Sequence, residues 1–238
     1  QPIIALPTHQ VVGFEALIRW HHPQHGSISP AEFIPVMEET GVIILIGEWV
    51  LKQACQQVCR WQQQLADQLS LSININVSPK QFAYPQLTEQ VRTVLQETGL
   101  NPNQLRLEIT ENAVMQNPDA AKATLMKLKQ LQVGVCMDDF GVGYSSLGRL
   151  QQLPIDTLKI DRSFIQNINE AGENIEIARS IIDLALNLGI DVVAEGVETA
   201  AQLHQLRTLN CPKVQGFYFA KPLTPEAALR YIYSLQAA

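Results

Sequence analysis

The chain has 238 residues, of which 46% are hydrophobic and 17% are charged, and its formal net charge at pH 7 is −6. This composition can build one large domain with a substantial core and argues against disorder. The acidic excess argues against a general nucleic-acid-binding surface, so an anionic substrate would need metal ions or a few placed cations. No apolar run is long enough to predict a transmembrane helix. Four cysteines within apolar patterns fit a reducing, cytoplasmic compartment.

Short runs typical of β-strands alternate with longer helical patterns along the chain. In order, the predicted strands cover residues 1–6, 11–20, 71–77, 105–109, 133–138, 157–160, 191–194 and 214–219. The predicted helices cover residues 30–40, 43–69, 85–97, 119–131, 173–188, 200–209 and 225–235. Ser29-Pro30 and Thr224-Pro225 have the form of helix starts, which supports two of these boundaries. The alternation predicts parallel strands joined by crossover helices.

Two architectures can accommodate this order of elements. Eight strands in about 240 residues are enough for a closed (β/α)8 barrel. The alternative is an open doubly wound sheet, but no glycine-rich dinucleotide fingerprint follows any predicted strand. The barrel is therefore preferred.

Polar side chains stand at or just beyond the carboxyl end of almost every predicted strand, the face where barrel enzymes place their active sites. They are Asn76, Glu108, Asp138, Asp139, Lys159, Glu195 and Gln215. Glu15 belongs to the strand predicted for residues 11–20, and the two-residue period of a strand places Leu17 and Arg19 on the same face. Any one of these residues alone can be a surface group, and Lys159 alone could pair with Asp161.

The adjacent Asp138 and Asp139 are the most informative of these residues. They end an apolar run, and burying carboxylates without partners costs several kcal/mol. Together with Glu15 and Glu108 they would repel one another unless cations neutralise them. Because these ligands offer oxygen atoms and include no His or Cys, they suit Mg2+ or Mn2+ rather than Zn2+.

The segment Glu15-Ala16-Leu17-Ile18-Arg19-Trp20 resembles the signature of the EAL family of cyclic di-GMP phosphodiesterases. Further motifs extend the resemblance, in the family's order, over essentially the whole chain. They are Asn76-Val77-Ser78-Pro79, Leu107-Glu108-Ile109-Thr110-Glu111, Asp138-Asp139-Phe140-Gly141, Lys159-Ile160-Asp161-Arg162-Ser163-Phe164, Glu195-Gly196-Val197-Glu198-Thr199 and Val214-Gln215-Gly216-Phe217-Tyr218-Phe219. One departure is Asn210, which stands where the family commonly has glycine.

The resemblance implies a modified TIM (β/α)8 barrel with one antiparallel strand. It also implies hydrolysis of cyclic di-GMP to linear pGpG with two Mg2+ or Mn2+ ions per active site. We expect residues 1–238 to form a single EAL domain from a longer signalling protein, since the chain lacks an initiator methionine and the family's leading helix. That protein would carry regulatory sensory or diguanylate-cyclase-like domains and would work in the cytoplasm, free or as the cytoplasmic domain of a membrane-bound protein. The domain is expected to form a homodimer through residues 145–156, with no nucleic-acid polymer as partner.

Roles for individual residues are also implied by the resemblance. The metal ligands would be Glu15, Asn76, Glu108, Asp138, Asp139 and Glu198, with Asp138 bridging the two ions. Lys159 and Glu195 would orient the attacking water. Leu17, Arg19 and Gln215 would contact the substrate, Arg19 at a phosphate and Gln215 beside the second metal. Glu111 would hold the loop 139–149 in place.

Two alternatives remain open. The chain could be a module that binds cyclic di-GMP without cleaving it, although such relatives usually lose a metal ligand and this chain has lost none. It could also be an unrelated metal-dependent barrel, for example a lyase that uses Lys159 as a Schiff base.

Overall fold

The computed structural model of the protein describes residues 1–65, 70–141, 151–166, 168 and 173–236. Its strands are β1 (Pro2–Ala5), β2 (Val11–Ala16), β3 (Trp20–His22), β4 (Gly26–Ile28), β5 (Ser72–Val77), β6 (Leu105–Thr110), β7 (Gly134–Phe140), β8 (Thr157–Ile160), β9 (Asp191–Ala194) and β10 (Lys213–Val214). Its α-helices are α1 (Pro30–Thr40), α2 (Ile43–Gln64), α3 (Pro79–Phe82), α4 (Leu87–Thr98), α5 (Glu111–Gln116), α6 (Pro118–Gln130), α7 (Arg162–Gln166), α8 (Glu173–Asn187), α9 (Ala200–Thr208) and α10 (Pro225–Gln236). A 3-10 helix occupies Pro102–Gln104.

Eight of the strands close into a barrel, in the order β1-β10-β9-β8-β7-β6-β5-β2, while β3 and β4 form a separate hairpin. β1 runs antiparallel to both of its neighbours, β10 and β2. The other neighbouring pairs of the barrel run parallel. The predicted barrel with one antiparallel strand is therefore confirmed. We call the end at which the parallel strands finish the upper end and the opposite end the lower end.

The two faces of the barrel strands differ in chemistry. In β5, Ile73 and Ile75 are buried members of the hydrophobic core, which continues into the apolar stripe of α2. Successive strand residues point to opposite faces, so Asn74 between them points into the barrel. Its amide donates a hydrogen bond to Glu108 of the neighbouring strand β6. The helices therefore hold the apolar side of the strands and leave the inside free for polar groups.

Helix termini follow the rules used to predict them. The hydroxyl of Ser29 accepts a hydrogen bond from the backbone of Ala31 at the start of α1, and Gly41 ends that helix in the left-handed conformation. No helix in the part of the chain that the structure describes has the length and hydropathy of a membrane span.

Two predicted strands are shorter than expected. The strand predicted for residues 11–20 ends at Ala16, and the chain continues into the β3–β4 hairpin. The strand predicted for residues 214–219 ends at Val214, because the backbone after it turns and hydrogen-bonds to Val197. There Val197 donates to the Gln215 carbonyl at 3.1 Å and accepts from Tyr218 N–H at 2.9 Å. A Cβ on Gly216 would lie 2.1 Å from the Val197 carbonyl oxygen, so only glycine permits this turn.

Candidate active site

A buried lysine stands among four carboxylates at the upper end of the barrel. Lys159 in β8 is 1% exposed. Its Nζ lies 2.9 Å from Glu108 Oε2, 3.3 Å from Glu15 Oε2 and 3.7 Å from Asp138 Oδ1. It also contacts a carboxylate oxygen of Glu195, directly after β9. The structure thus brings together acids from four strand ends, as the polar pattern led us to expect.

The alternative partner of Lys159 considered from the sequence has another contact. Asp161 Oδ1 accepts a hydrogen bond from the backbone of Ser163 at 2.9 Å. The carboxylates within ion-pair distance of Lys159 lie inside the barrel instead.

Side-chain amides donate hydrogen bonds to two of the buried glutamates, Glu15 and Glu108. Asn76 Nδ2 donates to Glu15 Oε1 at 2.7 Å, and Gln215 Nε2 donates to Glu15 Oε2 at 2.6 Å. Asn74 Nδ2 donates to Glu108 Oε1 at 2.8 Å. Since hydrogen bonds to an ionised carboxylate are strong, these contacts fix the orientation of both groups.

The electrostatic balance differs from one acid to the next. Burial raises the pKa of Glu15, but Lys159 and the amide hydrogen bonds together outweigh it and bring the pKa below its ordinary value. Burial raises the pKa of Glu108 well above its usual range; Lys159 opposes this shift and the neighbouring carboxylates add to it. Burial likewise raises the pKa of Glu195 to about 7. Burial lowers the pKa of Lys159, but the surrounding carboxylates, Glu108 foremost, bring it well above its ordinary value.

The aspartate pair occupies an irregularity in β7. The register between β7 and β8 shifts between Met137 and Phe140, and Asp139 there has φ 54°. Its backbone N–H donates to Asp138 Oδ1 at 3.0 Å. Partial burial of its carboxyl group, followed by repulsion from Asp138 and Asp161, raises the pKa of Asp139. A left-handed residue other than glycine stores strain of about 1–3 kcal/mol and is typical of functional sites.

The oxygen donors at the upper end fit a hard cation, although the carboxylates are not arranged around a common centre. Within the described ranges, no three Asp, Glu, His or Cys side chains are grouped closely enough to hold an ion. The ammonium group of Lys159 instead stands between them. Carboxylate and amide oxygens are the ligands that Mg2+ and Mn2+ prefer. Of the buried side-chain acceptors in the described part, Asn74 Oδ1 and Gln215 Oε1 have no hydrogen-bond partner, so unused oxygen atoms remain beside the cluster.

Leu17 and Arg19 lie beyond the end of β2, so the prediction that they share a strand face with Glu15 is wrong. Arg19 is exposed, and its guanidinium donates to the carbonyl oxygen of Ile18 at 2.9 Å. Two cavities of about 490 Å³ and 260 Å³ flank this segment, and both are lined by Leu17 and Arg19. The larger includes Glu15 and the smaller includes Asn76, so both cavities border the upper end.

The remaining predicted site residues are Asp139, Glu198 and Glu111. Asp139 and Glu198 are both exposed, and the backbone of Glu198 donates to Gln202 Oε1 at 2.7 Å. Glu111, 3% exposed, is the first residue of α5. Most of the loop that Glu111 is expected to hold, and half of the segment expected to form the dimer, fall within residues 142–150, outside the described residues.

Two polar residues at this end were not predicted from the sequence. Asn74 precedes Asn76 by two residues in β5, and the strand period was a usable signal for it. Gln1 accepts a hydrogen bond at Oε1 from Gln215 Nε2 at 2.9 Å. The sequence gives no local signal for a role of Gln1, because its place beside Gln215 depends on closure of the barrel.

The chain matches known proteins over most of its length. The EAL domain family model matches residues 1–222. The chain is 42% identical over 229 residues to the bifunctional diguanylate cyclase/cyclic di-GMP phosphodiesterase MucR of Pseudomonas aeruginosa, an alignment that covers 96% of this chain and 33% of MucR. It is 43% identical over 229 residues to the cyclic di-GMP phosphodiesterase NbdA of the same organism, covering 96% of this chain and 29% of NbdA. The chain therefore spans about a third of the length of these relatives.

The fold matches as well. The solved structure of the MucR phosphodiesterase in complex with c-di-GMP superposes with a TM-score of 0.89 at 42% identity. The match covers 95% of this chain and 91% of that chain.

Proposed function

The chain belongs to the EAL domain family, and from this premise we propose that it hydrolyses cyclic di-GMP to linear pGpG. The observation that carries the proposal is the cluster at the upper end, where Glu15, Glu108, Asp138 and Glu195 surround one lysine. Four acids around one ammonium group leave a negative excess that divalent cations would neutralise. The MucR structure in complex with c-di-GMP supports the substrate class.

The proposed cofactor is a pair of Mg2+ or Mn2+ ions. Glu15, Asn76, Glu108 and Asp138 would hold the first ion, and Asp138 would be shared with a second ion held also by Asp139 and Glu198. When bound, such a pair supplies a strong positive field and lowers the pKa of a coordinated water. The exposure of Asp139 and Glu198 suits ligands for the more open of the two positions.

The chain's own residues would orient the reactants. Lys159 is a donor and Glu195 an acceptor, and because they contact each other, both would reach the same attacking water. The exposed guanidinium of Arg19 would fork onto a phosphate of the substrate, and Leu17 and Gln215 would flank it. The water oxygen bonds to one phosphorus as the bond from that phosphorus to the ribose 3′ oxygen breaks. One water proton ends on the 3′ oxygen, which leaves a 5′ phosphate and a 3′ hydroxyl.

Two other functions make different demands on the same residues. A module that only binds cyclic di-GMP needs no ion among the carboxylates, and the ion pairs of Lys159 with the four acids are compatible with that function. A lyase with a Schiff-base lysine needs a neutral amine, whereas the raised pKa of Lys159 keeps it protonated. The phosphodiesterase and the binding module are therefore the two functions to separate.

A turnover assay separates them. We expect purified protein with Mg2+ or Mn2+ to convert cyclic di-GMP to pGpG, measured by chromatography of the nucleotides. Ca2+ in place of Mg2+ should suppress the conversion, because its larger and looser coordination shell fits a two-ion site poorly. Tight nucleotide binding without product, even with Mn2+ at alkaline pH, would establish the binding module instead.

The whole protein would contain more than this domain. Because the chain spans about a third of its relatives, we expect sensory or diguanylate-cyclase-like domains elsewhere in the full-length protein. Homodimerisation through residues 145–156 is part of the same proposal, and light scattering on the domain tests it.

A further inference from the structure

We propose that Asn74 is a positioning residue whose side-chain amide sets the direction of the Glu108 carboxylate, and thereby the affinity of the upper end for divalent cations. This inference rests on the proposed function, because it concerns a ligand of the proposed cation site. None of the sequence motifs that carry the family resemblance includes Asn74.

The position of Asn74 inside the barrel makes this contact possible. Asn74 and Glu108 are each 1% exposed. In the pairing of the strands, Asn74 lies opposite Glu15 of β2 on one side and Arg106 of β6 on the other. Glu108 lies opposite Asn76, so Asn74 stands two residues below that pair in β5 and reaches upward to Glu108. It therefore supports Glu108 from beneath.

The two oxygen atoms of Glu108 have separate partners. Oε1 accepts from Asn74 Nδ2 at 2.8 Å, while Oε2 lies 2.9 Å from Lys159 Nζ. The amide thus anchors one oxygen and leaves the other turned toward the centre of the cluster, where a cation would bind. Without that donor, Oε1 would be a buried acceptor with one partner fewer, and the carboxylate would rotate or take up a proton to compensate.

An amide at position 74 is also unfavourable for the stability of the fold. Asn74 Oδ1 is buried and has no hydrogen-bond partner among the described residues. An unsatisfied buried polar atom destabilises the fold, so an apolar residue of similar size would suit a purely structural position better. An amide donates without bringing a positive charge, whereas a lysine or arginine here would compete with the cation for Glu108. The hydrogen bond that Asn74 donates to Glu108 is the feature that accounts for an amide at this position.

The test compares Mn2+ binding by the unaltered protein with binding by Asn74→Leu and Asn74→Ser. Leucine keeps the volume and removes the donor, and the shorter serine cannot span the distance to Glu108. We expect calorimetric titration without nucleotide to show Mn2+ affinity lowered about 10- to 100-fold in both variants, the usual effect of removing a group that orients a metal ligand. The turnover lost at low Mn2+ should be largely regained at high Mn2+, with little change in KM for cyclic di-GMP.

The matched control is Ser72→Ala. Ser72 is two residues earlier on the same face of β5, and its hydroxyl donates to the Val12 carbonyl at 3.2 Å, away from the cluster. This variant should bind Mn2+ like the unaltered protein. The serine variant at position 74 keeps the test decisive if the leucine variant fails to fold.

The outcomes test the role of Asn74 and the proposed function separately. Mn2+ affinity within twofold of the unaltered protein in a folded position-74 variant would overturn the role of Asn74. If the unaltered protein binds Mn2+ but makes no pGpG, the proposed function fails while the affinities still decide the role of Asn74. An unaltered protein that binds no Mn2+ would overturn both.

Discussion

The two ends of the barrel differ in how their charged side chains are paired. At the lower end the ion pairs are matched one to one, with Lys213 against Asp191 and Lys129 against Asp156. At the upper end a single lysine, Lys159, lies within 4 Å of four carboxylates. Each of these two lower pairs balances one lysine with one carboxylate, whereas the upper cluster has one lysine for four acids.

This difference separates stability from function within one barrel. Matched and partly exposed ion pairs contribute modestly to stability and need nothing further. An unmatched buried cluster destabilises the fold unless a cation or a proton enters it. Changes at the upper end should therefore alter activity and metal dependence, and changes at the lower end should alter stability alone.

The largest effect is expected from Glu15→Ala. This change removes a proposed ligand together with the acceptor for Asn76 and Gln215. We expect turnover of cyclic di-GMP to fall by more than about 100-fold. This exceeds the usual loss when a residue that only orients a metal ligand is removed. Chromatography of pGpG at saturating Mn2+ measures it.

Glu89→Ala is the matched control for that change. Glu89 is an exposed glutamate of α4 paired with Arg92, and its loss should leave turnover unchanged. A Glu15→Ala variant with full activity would remove Glu15 from the proposed cation site.

A large loss of stability is expected from Lys159→Met in the metal-free protein. Removing one partner of a buried ion pair costs about 3–5 kcal/mol, and here the remaining charges also repel one another. Burial already raises the pKa of Glu195 to about 7 and that of Glu108 well above its usual range, and loss of the lysine should raise both. Carboxylates with raised pKa values stabilise the fold at low pH and lose that contribution as pH rises through those values.

Urea unfolding of Lys159→Met at several pH values measures this effect. The variant should be close to the unaltered protein near pH 5 and much weaker near pH 8, with Mn2+ restoring part of the loss. Lys52→Met, which breaks an exposed pair with Glu97, should cost little at either pH. Equal losses for the two lysines would contradict the contrast between the ends.

The smallest effect is expected at the lower end, from Asp191→Asn. The ion pair with Lys213 is partly exposed, so we expect a loss of about 1 kcal/mol in the free energy of unfolding. Asp191 lies four residues before Glu195, roughly 13 Å along the strand direction, and turnover should stay within twofold. A loss of activity comparable to that of Glu15→Ala would show that the two ends are not independent.

Strand positions and their polar ends could be predicted because both are local in sequence. A buried strand is a short apolar run, and a charged residue where it stops, such as Glu108 or Lys159, marks its end. The direction of Leu17 and Arg19 was not predictable in this way, because the period of two holds only while the strand lasts. Pairing decides where it ends, and β2 finds no parallel partner beyond Ala16.

The left-handed backbone conformation has a signal in the sequence at one position and none at another. Asn210 stands where the family commonly has glycine, and its φ of 53° explains why, since asparagine tolerates the left-handed region better than most residues. The same conformation at Asp139 left no trace in the sequence, because it arises from the register shift between β7 and β8. Long-range pairing of this kind has no local signature.

The hydrogen bond between Gln215 and Glu15 joins residues 200 positions apart, beside the contact of β1 with β10 that closes the barrel. During synthesis, Glu15 leaves the ribosome long before Gln215 is added. A nascent or truncated chain that stops before β10 therefore has most of the acidic residues but cannot assemble the site around them. Closure of the ring and completion of the hydrogen bonds around Glu15 are therefore coupled.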